Sequence, residues 1–248
     1  MTWRYRVQQW VARQTGFHIL RTLPRGIDVC RDIQQAFPRY VMEVIFDVGA
    51  NLGQSAQQYR YHFPDATLYC FEPVAATFQA LQAQLGRKPG VHCIQLALGA
   101  QVGTARMRLV GSSDRFSMIG DQDMQALGET ADLEAIAVST VEQFCQTQKI
   151  QQISYLKIDT EGRDWEVLMG SESMLLDQRI DFVEVEAGMN PMNQFHVPLA
   201  RFKDHLEAHQ YVLFGLYDQM HEWPTRSPQL RRANLVFVSQ KVLGSPLP

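Results

Sequence analysis

Two groups of residues in this chain have the types and spacing that chemistry requires. The first is Asp47-Val48-Gly49-Ala50-Asn51-Leu52-Gly53, directly after the apolar run Val44-Ile45-Phe46. Glycine in such a turn lets a ligand approach the backbone, and in a parallel α/β sheet ligands bind in the crevice outside the carboxyl ends of the strands. The spacing is G-x-N-x-G. A dinucleotide fingerprint would read G-x-G-x-x-G/A, so that helix N-terminal amides hold a pyrophosphate. Asn51 replaces the second glycine, and the ligand therefore need not carry phosphates. Asp47 could accept from a bound ammonium, or orient the loop and a water. Glu72 ends the next apolar run, Leu68-Tyr69-Cys70-Phe71, and Pro73 then turns the chain. Such folds place a carboxylate about 20 residues beyond the glycine loop, where it accepts from the ribose hydroxyls. A glycine loop alone would serve equally as a packing turn; the loop with an acid at this distance points to a nucleoside site.

The second group is Asp159-Thr160-Glu161-Gly162, after the run Ile153 to Ile158. Two-residue alternation puts Lys157, Asp159 and, if strand geometry persists, Glu161 on one side, with Glu184 and Glu186 sharing a face of the following strand. Carboxylates converging beside a cofactor do one of two jobs. One takes a proton from an attacking hydroxyl, or several bind Mg²⁺, which lowers the pKa of a coordinated hydroxyl. Structural roles compete with these readings: a helix N-cap for Asp159, a first-turn charge for Glu161, and a buried pairing of Glu184 with Lys157.

Among the seven histidines, His205 and His209 are spaced four apart, but the pattern H-L-E-A-H is not the H-E-x-x-H of a zinc protease. His209 reads instead as a helix-end residue. His196 and the turn His221-Glu222-Trp223-Pro224 could shape an acceptor pocket, with histidine as a base and tryptophan stacking on a sugar face. No G-x-S-x-G elbow, P-loop or cysteine-nucleophile context is present.

The elements that must position these residues follow from apolar periodicity. The runs at 44–46, 68–71 and 91–94 read as strands, and the stretches between them as helices, with Ala56, Tyr59 and Phe63 on one stripe and Val74, Phe78, Leu81 and Leu85 on another. This βαβαβ unit, with strands apolar on both faces, implies a parallel sheet covered on both sides. Beyond it the pattern predicts a helix near 140–147, strand 153–158, helix 164–169, strand 180–186, helix 198–209, strand 211–217 and a last strand at 235–238. Residues 99–138 are less regular, with the polar run Ser112-Ser113-Asp114-Arg115. They read as a hairpin or loop insertion near the substrate side. Residues 1–42 form a separate helical extension, with Trp3, Val7, Trp10 and Val11 near helical spacing, and residues 43–248 form the main domain. The extension suits a pair of packed helices, a lid, a homo-oligomer contact or a peripheral membrane contact.

Composition narrows the class. With 46% hydrophobic and 20% charged residues the chain matches folded, water-soluble proteins and not disordered ones. A net charge of −3 leaves no basic surplus for gripping phosphates, so nucleic acid is not an expected partner. Cys30, Cys70, Cys93 and Cys145 form no C-x-x-C pair and read as reduced core residues. No stretch approaches the ~20 apolar residues of a transmembrane helix, and the N-terminus lacks a signal-peptide apolar core. A cytoplasmic location is expected.

The stretch Ile45 to Ser55, the triplet Phe71-Glu72-Pro73, Leu96-Ala97-Leu98-Gly99, Leu156 to Gly162, Glu166 to Gly170 and Val183 to Glu186 together resemble the FkbM-type S-adenosylmethionine-dependent methyltransferases. The resemblance covers about residues 43–240. It implies a class I methyltransferase fold: an α/β, Rossmann-like, mostly parallel seven-stranded sheet with helices on both faces and an antiparallel last strand. The activity it implies is O-methylation of a sugar or natural-product hydroxyl. It also implies S-adenosylmethionine as cofactor, with Asp47, Gly49, Ala50, Asn51 and Gly53 along its methionine and ribose part. Glu72, followed by Pro73, would hold the ribose hydroxyls, and Ala97 and Leu98 would lie by the adenine. Asp159 is the expected base or metal ligand, supported by Glu161 and Glu186, and Ser117 is a candidate substrate contact. Two rivals stand beside this reading: N-methylation of a small amine or amino-acid side chain, and a non-catalytic module that keeps the nucleoside fold as a scaffold.

Overall fold

The computed structural model describes residues 3–16, 23–108, 117–119, 133–221 and 228–244. Two helices, α1 (Trp3–Thr15) and α2 (Val29–Ala36), precede an alternating unit of β1 (Val44–Val48), α3 (Gln54–His62), β2 (Thr67–Phe71), α4 (Ala75–Leu85) and β3 (Val91–Ile94). Four further strands follow: β4 (Ala97–Leu98), β5 (Gly103–Arg108), β6 (Ser117–Ile119) and β7 (Leu133–Ser139). Alternation then resumes with α5 (Val141–Gln148), β8 (Ile153–Ile158), α6 (Asp164–Met169), α7 (Glu172–Leu176), β9 (Ile180–Gly188), α8 (Leu199–Ala208), β10 (Tyr211–His221), β11 (Leu230–Ser239) and α9 (Gln240–Leu243).

Seven strands form one sheet in the order β3-β2-β1-β8-β9-β11-β10. The strands from β3 to β9 run parallel, and β11 runs antiparallel to both β9 and β10. This is the class I methyltransferase arrangement expected from the sequence. Strand order reverses between β1 and β8, so the crevice at their carboxyl ends is the topological switch point where open α/β sheets bind ligands.

Burial on both faces explains the near-continuous apolar runs. Successive residues of β1 serve opposite sides: Ile45 packs with Tyr59, Leu68 and Tyr155, whereas Phe46 packs with Phe71, Phe144 and Leu156. The β9 strand is buried over its whole length, including Asp181, Glu184 and Glu186, so each of these acids must find a partner inside the protein. Glu184 finds the hydroxyl of Tyr155, which donates to it at 2.5 Å, and the amide of Asn234, which donates at 2.7 Å.

The N-terminal segment is not uniform. Asp28 caps α2 by accepting from Arg31 N, and Val29, Cys30 and Ile33 enter the same apolar cluster as Ile45 and Tyr59. The Tyr217 hydroxyl donates to Asp32 at 3.1 Å, tying α2 to β10. Thus α2 shares the core of the main sheet, while α1 presents Trp3, Val7 and Trp10 to solvent.

The described residues of the irregular region form strands. The strands β4-β7-β5-β6 form a second, four-stranded sheet, in which Ala97 and Leu98 pair with Val138 and Ser139. The sheet is fixed to the main domain through β7, where Ala75 N donates to Glu134 Oε1 at 2.8 Å. The polar run 112–115 lies outside the described residues, as do residues 222–224 and the side chain of Ser117. Among the described residues, no helix is long and apolar enough to cross a membrane. Cys30, Cys70, Cys93 and Cys145 are all free thiols.

Candidate active site

The turn after β1 is built from residues that tolerate left-handed backbone. Gly49, Asn51 and Gly53 have φ of 83°, 48° and 87°. Asn51 stands where a dinucleotide loop has glycine because asparagine is among the few side chains that enter this region readily. Gly49 has a further constraint: a Cβ there would lie 1.9 Å from the Asp159 carbonyl oxygen. Gly49 N and Ala50 N donate to Phe71 O at 3.0 and 2.9 Å, and Asp159 N donates to Val48 O at 3.0 Å. The ends of β1, β2 and β8 are thereby laced together.

They enclose a cavity of about 260 Å³. One side is the β1 turn, with Gly49, Ala50 and Asn51, and the end of β2, with Phe71, Glu72 and Pro73. Leu96, Ala97, Leu98 and Met107, from the small sheet and its approach, add an apolar wall. Lys157, Asp159, Thr160, Glu161 and Arg163 form the polar side.

Glu72 is buried and held from two directions, with Asn51 N donating to Oε2 at 3.2 Å and Val74 N donating to Oε1 at 3.0 Å. Burial pushes its pKa up to about 6, and the two backbone N–H groups limit that rise. At neutral pH it is an anion, and each oxygen keeps acceptor capacity beyond its one N–H.

Lys157 lies between two carboxylates, with Nζ 3.0 Å from Asp159 Oδ2 and 3.6 Å from Asp47 Oδ1. Burial works against its charge, but Asp159, Asp47 and Glu184 outweigh it and hold the ammonium's pKa above the ordinary lysine value. For Asp159 burial pushes the pKa up, but the charge and hydrogen bond of Lys157 win, and the carboxyl is held below its usual range. Asp47 is dominated by burial and shifts upward.

The expected residues divide. Gly49, Ala50, Asn51, Glu72, Pro73, Ala97, Leu98, Asp159 and Glu161 line the cavity, whereas Asp47, Gly53 and Glu186 do not. Asp47 lies beneath the turn against Lys157, and Gly53 faces Leu81 and Leu85 of α4, which a Cβ would strike. Glu186 is buried and taken up by Arg232 and by His196, whose Nε2 is 2.6 Å from Oε2; His196 itself is off the cavity wall. The strand ends at Ile158, so Glu161 reaches the wall through its own left-handed turn, at φ 52°, and not by strand alternation. Asp159 caps no helix, because α6 begins at Asp164 after Arg163.

These carboxylates do not suit a magnesium site. Asp159 is engaged by Lys157 and Glu186 by His196 and Arg232, and among the described residues the three do not gather within reach of one cation. The sequence reading assigned no role to Thr160 or Arg163 on the wall; their place within and directly after the D-x-E-G run was the available signal.

A further acid that sequence reading passed over is Asp164, at the start of α6. It is buried, and burial reinforced by the Asp159 charge pushes its pKa up to about 8. The folded state therefore keeps a proton here that the unfolded chain loses near the ordinary aspartate value. The resulting stabilisation is complete below about pH 4 and is lost as pH rises through about 8. Asp164→Asn, which cannot ionise, is expected to lose less stability than the parent between about pH 5 and about pH 9 in urea denaturation. Equal losses would contradict the shift.

Residues 47–218 match the family model described as the methyltransferase FkbM domain. "Methyltransferase 1" of Beauveria bassiana is 26% identical over 176 residues, covering 64% of this chain and 69% of that protein. "Hexuronic acid methyltransferase AglP" of Haloferax volcanii is 25% identical over 151 residues, covering 60% of this chain; the match spans 58% of that protein's length. Among solved structures, M. capricolum TrmK in complex with S-adenosyl-homocysteine is 9% identical with a TM-score of 0.47, covering 84% of this chain and 67% of that one. The family match takes in the β1 turn, Glu72, the small sheet, the Asp159 cluster and β9 in one continuous span, and the chain belongs to the FkbM methyltransferase family.

Proposed function

We propose that this protein transfers a methyl group from S-adenosylmethionine to a hydroxyl oxygen of a sugar or natural-product acceptor. The observation that carries the donor assignment is Glu72: a buried carboxylate on the cavity wall, preset by Asn51 N and Val74 N, facing the G-x-N-x-G turn. That arrangement suits a ribose diol. The neighbouring wall of Pro73, Ala97 and Leu98 suits an adenine ring, and the turn at Gly49 to Asn51 suits the methionine part. When bound, the donor supplies an electrophilic methyl carbon attached to a good leaving group.

Asp159 is the residue we assign to the acceptor hydroxyl, with Glu161 on the same wall. A carboxylate held below its usual pKa is a poor base toward a free alcohol. It is adequate toward an alcohol oxygen that is already gaining a methyl group, because that oxygen becomes strongly acidic as the new bond forms. Asp159 would orient the hydroxyl first and take its proton late. Lys157, hydrogen-bonded to Asp159, fixes the carboxylate in place. Glu186, off the wall, would support the site through His196 and Arg232.

A carbohydrate acceptor is favoured over an amine by the similarity to a protein named as a hexuronic acid methyltransferase. The test is acceptor profiling: the purified chain, S-adenosylmethionine, and panels of glycosides, uronic acids and small amines, with products read by mass spectrometry. Methyl gain confined to hydroxyl compounds is the expected result. Methylation of amines alone would overturn the oxygen assignment.

A further inference from the structure

Away from the cavity, Glu172 at the start of α7, His205 on α8 and His209 at the C-terminal cap of α8 converge. The two histidines are four residues apart and so lie on one helix face. His205 Nε2 is 3.0 Å from Glu172 Oε2, and His209 Nε2 is 2.9 Å from Glu172 Oε1. The rings of the two histidines are 4.4 Å apart between centroids.

The His209 contact requires a positive charge, supplied by a proton or by a metal ion. His209 Nδ1 lies 2.8 Å from the main-chain carbonyl oxygen of His205. A carbonyl only accepts, so Nδ1 carries a hydrogen, and in a neutral imidazole Nε2 then offers a lone pair. That lone pair faces a carboxylate oxygen. The second imidazole points its Nε2 at the other oxygen of the same carboxylate, and that nitrogen and Oε2 are both shut off from solvent without a hydrogen bond between them. A lone pair so placed is relieved by a proton on His209 Nε2, as in an imidazolium–carboxylate pair, or by a divalent cation, and a cation serves both histidines and the unbonded Oε2 at once.

We propose that Glu172, His205 and His209 form a binding site for a first-row divalent transition ion, zinc in particular, with solvent completing the coordination. The donor set of two imidazoles and one carboxylate suits Zn²⁺ and excludes the all-oxygen preference of Mg²⁺ or Ca²⁺. The hydrogen bond from His209 Nδ1 to a backbone carbonyl is the outer-sphere contact that metal-ligating histidines use to fix their tautomer. The ligand atoms all lie within 4.8 Å of one another. The two N···O separations need to open by only a few tenths of an ångström to reach the about 3.3 Å between ligands of a tetrahedral site with bonds of about 2.05 Å. Packing supports the orientation: Trp165 meets the His205 ring edge-on at 5.0 Å and is itself covered by the Arg201 guanidinium at 3.8 Å. A bound ion would staple α7 to α8. The inference is independent of the methyl-transfer reading, since none of the three ligands lines the cavity.

The test is a calorimetric titration of ZnCl₂ into the full-length, tag-free chain after chelator treatment. It is repeated on Glu172→Gln and His209→Gln, with circular dichroism to check folding. One saturable zinc per chain is expected, with affinity lowered about tenfold or more in each variant, and zinc should raise the parent's Tm. If the parent shows neither stoichiometric binding nor a Tm rise, the site does not exist, whatever the variants do. Equal affinity in folded variants would place the zinc elsewhere and equally overturn the proposal.

Discussion

Gly49→Ala is expected to destabilise the protein by about 2–6 kcal/mol, the sum of strain at a left-handed position and overpacking. Both terms act at one atom. The residue holds φ at 83°, and the added methyl would meet the Asp159 carbonyl oxygen at 1.9 Å, a backbone group that no side-chain rotation can move aside. Relief requires the ends of β1 and β8 to part, breaking the hydrogen bond from Asp159 N to Val48 O and opening the cavity between them. Against a typical total of about 5–15 kcal/mol, this is a large fraction. Urea denaturation reads the loss as a lower midpoint, and donor affinity should fall with it. An unchanged midpoint would show that the two strand ends are not locked together as described.

The second large effect is kinetic. Asp159→Asn keeps an oxygen for Lys157 and the size of the side chain but removes the carboxylate proposed to take the proton. A fall in kcat of about 10²–10⁴-fold is expected, the usual contribution of a positioned general base. Donor affinity should stay nearly constant, because the residues assigned to the donor are those of the β1 turn, Glu72 and the small sheet. A kcat within a factor of about ten of the parent would remove Asp159 from proton transfer and leave it a charge partner of Lys157.

How much of this was legible in the chain depends on how local the determining contacts are. The β1 turn was readable because its glycines and Asn51 answer a backbone demand set within five residues, and Glu72 because one crossover fixes its place on the next strand. The parallel strands announced themselves through burial on both faces. By contrast, Gly53 carries the same left-handed signature as Gly49, yet it serves packing against Leu81 and Leu85; nothing in a spacing pattern separates the two roles. Glu186 looked like a site acid because strand alternation puts it beside Glu184. Its capture by His196 and Arg232 depends on a loop and a strand brought in by tertiary structure. The small sheet was legible only as a hairpin or loop, because β4 and β6 span two and three residues and β5 pairs with β7 across an intervening segment. The Glu172 cluster escaped for a related reason: H-L-E-A-H invites attention to the glutamate inside the motif, whereas the acid that meets the histidines comes from another helix.

The charge pattern around Lys157 also shows why the polar wall holds its shape. A buried ammonium is costly alone, and here Asp159, just past the end of the same strand, and Asp47, on the neighbouring β1, offset that cost while the Glu184 charge adds to the balance. The same pairing sets Asp159 as an anion at neutral pH, the state that orienting a hydroxyl requires.

The central claim, that Glu72 and the β1 turn hold an S-adenosyl donor, is tested most directly by calorimetric titration of S-adenosylmethionine into the full-length chain and into Glu72→Ala. One-to-one binding by the parent is expected, with affinity lower by about 100-fold in the variant, equivalent to two charge-assisted hydrogen bonds of about 1.5 kcal/mol each. Absence of binding by the parent, or equal affinity in both proteins, would contradict it.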